Sequence, residues 1–117
     1  METKDKVWSD ISMLVAMGSP ESGYEVKINV PEITFLGVKD QPDFAEAWIT
    51  FYPNDTVIEL RSLKKYFYQF RNKIISYERL INTVYHDLVN GYLPKRLRIV
   101  MIFRPRGGIR SKLTIDS

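Results

Sequence analysis

The sequence contains no cysteine, which removes disulfides, thiolate metal sites and cysteine nucleophiles at once. It has a single histidine, His86, so a histidine-rich zinc site is also excluded. With Asp87 beside it on an apparent helix, His86 reads as a surface or packing residue. No apolar run approaches the roughly 18 residues of a membrane span. The opening METKDKVWSD mixes both charges and lacks the hydrophobic stretch of a signal peptide. A soluble, cytoplasmic protein is expected. There is no phosphate-binding glycine loop of the P-loop or Rossmann type, no repeat, no low-complexity segment and no internal linker.

What remains is one small domain. Of the 117 residues, 44% are hydrophobic and 13% aromatic, enough for one core but not for two. Acid is scarce in the second half. Residues 1–55 hold 4 Lys/Arg and 10 Asp/Glu, a net −6, whereas residues 56–117 hold 13 and 4, a net +9. From Lys95 to Lys112 there are Lys95, Arg96, Arg98, Arg104, Arg106, Arg110 and Lys112 with no acid between them. Such a one-sided cationic surface suits a phosphate-bearing partner, nucleotide or RNA. Equally, the charges alternate outward along strands and simply solvate a sheet face.

Val7 to Met17 is mostly apolar and stops at Gly18-Ser19-Pro20, which reads as a short helix packed on the domain or a loosely held arm. In YEVKINV, Tyr24, Val26, Ile28 and Val30 face one way and Glu25, Lys27 and Asn29 the other, a half-buried strand. Phe44 to Tyr52 forms a second strand, and Pro53 to Thr56 a turn. From Ser62 the period changes. Leu63, Tyr66, Phe67 and Phe70 fall on one helical face, with Ser62 as the expected N-cap. After a break at residues 71–76, Ser76 caps a second helix bearing Leu80, Ile81, Val84, Leu88 and Val89, with Gly91 as its expected stop. Arg96 to Arg104 returns to period two, with Leu97, Ile99, Met101 and Phe103 inward. Gly107-Gly108 is a turn or bulge, and IRSKLTI a last short strand. The order is β-β-α-α-β-β, an α+β domain with an antiparallel sheet and two helices on one face. The expected division is an arm or short helix over residues 1–22 and a single domain over 23–117.

Three carboxylates stand out from this pattern. Asp43 lies in QPDFA at the mouth of a strand beside a proline, Glu59 precedes the first helix, and Glu78 opens the second. On physical grounds alone Glu78 is explained by the helix dipole.

In order and together, five segments resemble the NADPH-dependent 7-cyano-7-deazaguanine reductases, the nitrile reductases of queuosine biosynthesis in tRNA modification. PEITFL…QPDFA is similar to the family's P-E-F-T-S-L-C-P-x-T-G-Q-P-D-F-A, and ELRSLKKY to its signature E-(S/L)-K-(S/A)-x-K-(L/Y)-(Y/F/W). FRN follows at the family spacing, YERLINTVYHDL sits where the family has an H-E pair, and RPRGGI resembles P-R-G-G-I. The likeness spans about Tyr24 to Ile109 and implies the tunnel fold, whose subunits close their sheets into a barrel by oligomerisation. It further implies a cysteine thiolate attacking the nitrile, an aspartate handling the proton, NADPH delivering hydride and a glutamate holding the base.

Carried over, Asp43 matches the catalytic aspartate and Glu78 the base-anchoring glutamate, a carboxylate able to accept two parallel N–H bonds. Glu59 matches the first signature residue and is a second substrate-binding candidate. Arg61, Lys64 and Arg106 fall at cationic positions for NADPH phosphates, Arg61 replacing a lysine. No metal is expected. The chemical centre departs from the family. Gly37 stands near the missing cysteine, in a loop one residue shorter, and Tyr77 stands at the family's histidine. Thr34 and Lys39 are the remaining nearby nucleophilic types, neither with an evident activating partner.

The resemblance therefore implies a diverged member that binds a 7-deazaguanine-, purine- or pterin-like base, with chemistry that is altered or supplied by a cysteine-bearing paralogous partner. A non-catalytic structural or regulatory tunnel-fold subunit, contacting RNA through the basic half, is the alternative. Reduction by an unexpected nucleophile, or another enzyme class, is a third. Open sheet edges and an uncovered face predict a homo-oligomer.

Overall fold

The computed structural model describes residues 7–117. Its centre is a four-stranded antiparallel sheet in the order β2-β3-β5-β6, formed by β2 (Val26–Leu36), β3 (Pro42–Tyr52), β5 (Arg96–Phe103) and β6 (Lys112–Asp116). Two helices, α1 (Leu60–Tyr68) and α2 (Tyr77–Tyr92), lie between β3 and β5 in the chain and cover one face. A small second sheet pairs β1 (Ala16–Gly18) with β4 (Thr56–Ile58). The β-β-α-α-β-β order read from periodicity is thus the backbone of the fold.

Period-two patterning explains the sheet. Ala45, Ala47, Ile49 and Phe51 of β3 and Leu97, Ile99, Met101 and Phe103 of β5 point into one core and are essentially inaccessible to solvent. From the helices come Leu63, Tyr66 and Phe67 of α1 and Leu80, Ile81, Val84 and Leu88 of α2, with Phe70 just beyond α1. Each large side chain buried there contributes about 1.5–3 kcal/mol of transfer free energy.

The first long strand is longer and less regular than its alternation suggests. It begins at Val26, not Tyr24, and continues through PEITFL to Leu36. A bulge between Val30 and Ile33 sets three steps of β2 against two of β3, from Val30↔Ala47 to Ile33↔Ala45. Even residues face the core before the bulge, and Ile33 and Phe35 after it. The extra residue falls at Pro31-Glu32, where a proline removes a ladder donor.

Three other expectations are corrected. The N-cap of α1 is Glu59, whose carboxylate accepts from the Arg61 and Ser62 backbone N–H groups at 2.7 and 3.1 Å. Ser62 is instead a buried tie: its hydroxyl donates to the Glu59 carbonyl at 2.7 Å and accepts from the Val15 N–H at 3.0 Å. Helix α2 runs through Gly91 and stops at Leu93, which takes the left-handed conformation at φ 47°. Val7 to Met17 is neither a loose arm nor only a helix: a single 3-10 turn at Ile11–Met13 leads into β1, and the Tyr92 hydroxyl donates to the Val15 carbonyl at 2.8 Å.

The two helices are tied to the sheet edge through their connection. After a 3-10 turn at Gln69–Asn72, the chain bridges to the end of β2, with Leu36 N–H on the Lys73 carbonyl at 3.0 Å and Ile75 N–H on the Leu36 carbonyl at 3.1 Å. That clamp sets the N-terminus of α2 beside the β2–β3 loop.

Candidate functional site

The β2–β3 loop is a tight hairpin. Gly37 N–H donates to the Gln41 carbonyl at 2.7 Å, Asp40 N–H donates to the Gly37 carbonyl at 2.9 Å, and Asp40 is left-handed at φ 62°. This is the pattern of a three-residue loop closed by a left-handed residue, a position that glycine usually fills. At the same end of the sheet, β5 and β6 are joined by a turn in which Arg106 and Ile109 exchange both backbone hydrogen bonds at 2.9 and 3.1 Å. Gly107 and Gly108 at its tip have φ of 59° and 80°, both in the region that favours glycine.

Between these two turns and the start of α2 lies a cleft of about 310 Å³, lined by Gly37, Lys39, Asp43, Tyr77, Glu78 and Arg106 among others. Asp43 is its buried acid, 4% exposed at the start of β3 and on the core-facing side of the strand. One of its oxygens accepts the Phe44 N–H at 2.8 Å. The other accepts the Tyr77 hydroxyl at 2.7 Å and lies 3.5 Å from the Arg106 guanidinium. Arg106 also donates to the Gln41 side-chain oxygen at 3.4 Å and to the Pro42 carbonyl at 2.5 Å.

Tyr77 is the first residue of α2 and is held by aromatic packing. Its ring stacks on Phe103 with centroids 3.9 Å apart and a 9° tilt, and meets Phe35 edge-on at 5.8 Å. Burial first, then the hydrogen bond and charge of Asp43, push its phenol up from the ordinary value, against the opposing pull of Arg106. It therefore remains an O–H donor across the physiological range.

Glu78 follows in the first turn of α2, whose Ser76 cap accepts from Arg79 N–H at 3.1 Å. Its carboxylate makes no hydrogen bond or ion pair among the described residues, so both of its oxygens are available to the cleft. Gly37 lies against the acid. A Cβ built on it would stand 3.8 Å from the Asp43 Oδ2 and 3.5 Å from the Gln41 carbonyl, ordinary contact distances.

The profile of the QueF-like protein family matches residues 42–117, nearly two-thirds of the chain. The chain belongs to the QueF-like family. Among curated members, the NADPH-dependent 7-cyano-7-deazaguanine reductases of Bacteroides thetaiotaomicron and Exiguobacterium sibiricum are 42% and 43% identical over 77% of this chain. The chain spans only 60% and 56% of their length. The Aquifex aeolicus reductase is 34% identical, with 96% of its length covered. The crystal structure of an apo archaeosine synthase QueF-Like superposes with a TM-score of 0.76 at 15% identity, covering 83% of this chain and 96% of that one, a likeness of fold. The QueF-like subunit has the tunnel fold.

The fold divides the residues singled out in the sequence. It brings Gly37, Asp43, Tyr77, Glu78 and Arg106 to one cleft. Glu59 stands elsewhere, capping α1. Arg61 and Lys64 lie with Lys65 and Tyr68 on a separate exposed depression of α1 that shares no residue with the cleft. Arg106, grouped with those cations in the sequence, is turned onto Asp43 instead. Two further contributors gain a role only in three dimensions. Gln41 holds Arg106, and Phe103 supports Tyr77. The sequence shows Gln41 in QPDFA and Phe103 on an inward strand face, but not their partners, because each contact joins distant elements. His86 is exposed on α2, edge-on to Tyr85. No cluster of metal-ligating side chains occurs among the described residues, and no helix there is long and apolar enough to cross a membrane.

Proposed function

We propose that the cleft binds a planar 7-deazaguanine-, purine- or pterin-like base, and that its chemistry is altered or partner-dependent. The observation that carries this reading is the Glu78 carboxylate, unpaired among the described residues and lining the same cleft as the buried Asp43. A carboxylate with both oxygens available accepts two parallel N–H bonds from the amino and ring N–H of a guanine-type edge. Asp43 sits where a proton would be handled. The sequence has no cysteine to attack a nitrile, so a thioimide route needs a cysteine from another chain.

NADPH fits the α1 depression in part. Arg61, Lys64 and Lys65 supply cations for its phosphates, and Tyr68 offers a ring face. When bound, NADPH supplies hydride. Arg106 lines the other cleft, where it contacts Asp43, Gln41 and the Pro42 carbonyl. The depression and the cleft share no residue, and a neighbouring subunit could supply the missing side of either. The open edges of β2 and β6, and Trp48 exposed on the uncovered sheet face, favour a homo-oligomer that closes the sheet. A monomeric sedimentation mass at micromolar concentration would count against it.

The alternative is a non-catalytic tunnel-fold subunit, favoured by the missing nucleophile. RNA contact through the basic half is weakened by local pairing: Arg96 and Arg98 both meet Asp116, and Arg104 meets Glu32. The deciding experiment is calorimetric titration of 7-cyano-7-deazaguanine into the wild type and Glu78→Ala, with and without NADPH. Binding that disappears in Glu78→Ala supports the base site. No wild-type binding with or without NADPH removes this ligand and favours the alternative.

A further inference from the structure

The β5–β6 turn is anchored at its base and buries nothing at its tip. At the base, Phe103 N–H donates to the Ser111 carbonyl at 3.0 Å and Arg104 N–H to the Phe44 carbonyl at 3.1 Å. The Arg104 guanidinium adds an ion pair with Glu32 at 2.9 Å and lies 4.5 Å from the Phe44 ring centroid. Residues 104–110 are all exposed, Ile109 to 74%. Pro105 offers no N–H, and the left-handed Gly107 and Gly108 give the tip little bulk. The two Arg106–Ile109 hydrogen bonds close the tip on itself, not on a neighbour.

The polar contact that joins this tip to the opposite turn is the Arg106 side chain. It reaches across the mouth of the cleft, donating to the Gln41 side-chain oxygen at 3.4 Å and to the Pro42 carbonyl at 2.5 Å, with Asp43 Oδ2 3.5 Å away. Arg106 is also the residue of its turn that lines the cleft, the other walls being the β2–β3 loop with the start of β3 and the entry to α2. These contacts can open without unfolding the domain. The guanidinium is about half exposed, and its approach to Asp43 is longer than the roughly 2.7–2.9 Å of a strong charged hydrogen bond. An exposed ion pair of this kind is weak, and a segment with few buried contacts opens locally.

We infer that residues 106–109 form a flap over one side of the cleft and that Arg106 is its latch, so that a base enters and leaves when the guanidinium lets go of residues 41–43. The inference rests on the base-binding reading and deepens it by adding a gate to the same site. Glu78 and Asp43 set how tightly the base is held, and Arg106 sets how fast it exchanges. The same side chain ties the gate to the buried acid. With the flap closed, the guanidinium faces the Asp43 oxygen that also takes the Tyr77 hydroxyl; with it open, that oxygen keeps Tyr77 alone. Arg106 acts here as a positioning residue and not as a ligand contact.

The test compares the wild type with Arg106→Ala at pH 7, near-ultraviolet circular dichroism confirming that the variant keeps its fold. The first measurement needs no ligand and reads nitrogen-15 relaxation at the Gly107, Gly108 and Ile109 amides. Order parameters near the rigid-backbone value of about 0.85 are expected in the wild type, falling below about 0.6 in Arg106→Ala. Unchanged values overturn the latch. The second is surface plasmon resonance of 7-cyano-7-deazaguanine over the immobilised protein. The latch is made of protein atoms alone, so it closes alike over an empty and a filled site. Both kon and koff should therefore rise at least about fivefold in Arg106→Ala while Kd stays within about threefold. A rise in koff alone, with Kd rising in proportion, overturns the inference and leaves the base site standing, because Arg106 then holds the ligand itself. Unchanged rate constants overturn it too. Gln41→Ala, which removes one latch contact, should move both rates the same way by less. If the wild type binds no base, the base-binding reading fails, and the relaxation experiment still decides whether Arg106 latches the turn.

Discussion

The molecule contains two aspartate–tyrosine pairs built from the same atoms and put to different use. At the cleft, Tyr77 donates to Asp43. Behind the helices, Tyr66 donates to Asp87 at 2.5 Å, and the Ser9 hydroxyl donates to the same Asp87 oxygen. Tyr66 is fully buried, edge-on to Phe67 and Phe70. Ser9 belongs to the N-terminal segment, which is also held by Lys73 on the Trp8 carbonyl at 3.0 Å. The second pair is therefore a clamp, joining α1, α2 and the segment before β1. The first opens onto a cleft with a free carboxylate and a glycine in place of a side chain beside it. What each pair is joined to separates them: the first shares its cleft with the unpaired Glu78 carboxylate, and the second ties three segments of the chain together.

Adding a nucleophile at the first pair has the largest effect. Gly37→Cys adds a Cβ at ordinary contact distance from Asp43 and so brings a thiol to this end of the cleft, and the expected outcome is a covalent adduct with 7-cyano-7-deazaguanine where the wild type forms none. Intact-mass spectrometry reads this directly, and failure to form an adduct despite retained binding would show that Asp43 is not placed to assist a thiol. On the other side, Tyr66→Ala empties the buried clamp and should cost about 3–5 kcal/mol in urea unfolding, within the range for large aromatic deletions. Base affinity of the folded fraction should be unchanged.

A smaller effect separates the two carboxylates. Asp87→Ala strands the buried Tyr66 hydroxyl and should cost about 1–3 kcal/mol of stability, with ligand binding intact. Asp43→Asn should do the reverse, weakening base binding with little loss of stability. If both variants lose the same property, the division between clamp and site collapses. Alkaline titration sharpens the same contrast. Burial, then Asp87, pushes the Tyr66 phenol far above its ordinary value. A raised folded-state value means that stability is full below the unfolded phenol value of about 10 and is lost as pH rises above it. Tyr66→Phe should make that alkaline loss shallower, whereas Tyr77→Phe should change it less. The smallest effect is at the loop. Asp40→Gly relieves a left-handed backbone at φ 62° and should stabilise by about 0.5–1 kcal/mol, read as a higher unfolding midpoint.

How much of this is legible in the sequence depends on the length of the pattern. Leu97, Ile99, Met101 and Phe103, and the α1 and α2 faces, repeat often enough that periodicity alone places them in the core. The bulge leaves a trace, the switch from Val26, Ile28 and Val30 to Ile33 and Phe35, but a one-residue change of phase beside a proline reads more readily as a strand end. The β1–β4 pair is three residues long, too short for any period to show. Helix ends mislead where two suitable residues compete. Glu59 and Ser62 can both cap α1, and the tie to Val15 decides between them. Gly91 is the better left-handed residue, yet Leu93 occupies that conformation. In the cleft, Gly37, Asp43, Tyr77 and Glu78 are visible as neighbours within two segments that the Leu36 bridge brings together. Arg106 is visible as a cation but not as a partner of Asp43, because that contact is set by the closing hairpin.

The central claim is that ligand enters at the Asp43–Tyr77 pair and not at the Asp87–Tyr66 pair. Amide chemical-shift mapping by two-dimensional proton–nitrogen NMR, with 7-cyano-7-deazaguanine as titrant, tests it most directly. The expected result is a set of shifts concentrated at Gly37, Asp43, Tyr77, Glu78 and Arg106, with Ser9, Tyr66 and Asp87 unmoved. Shifts centred on Ser9, Tyr66 and Asp87, or none at saturating ligand, would contradict it.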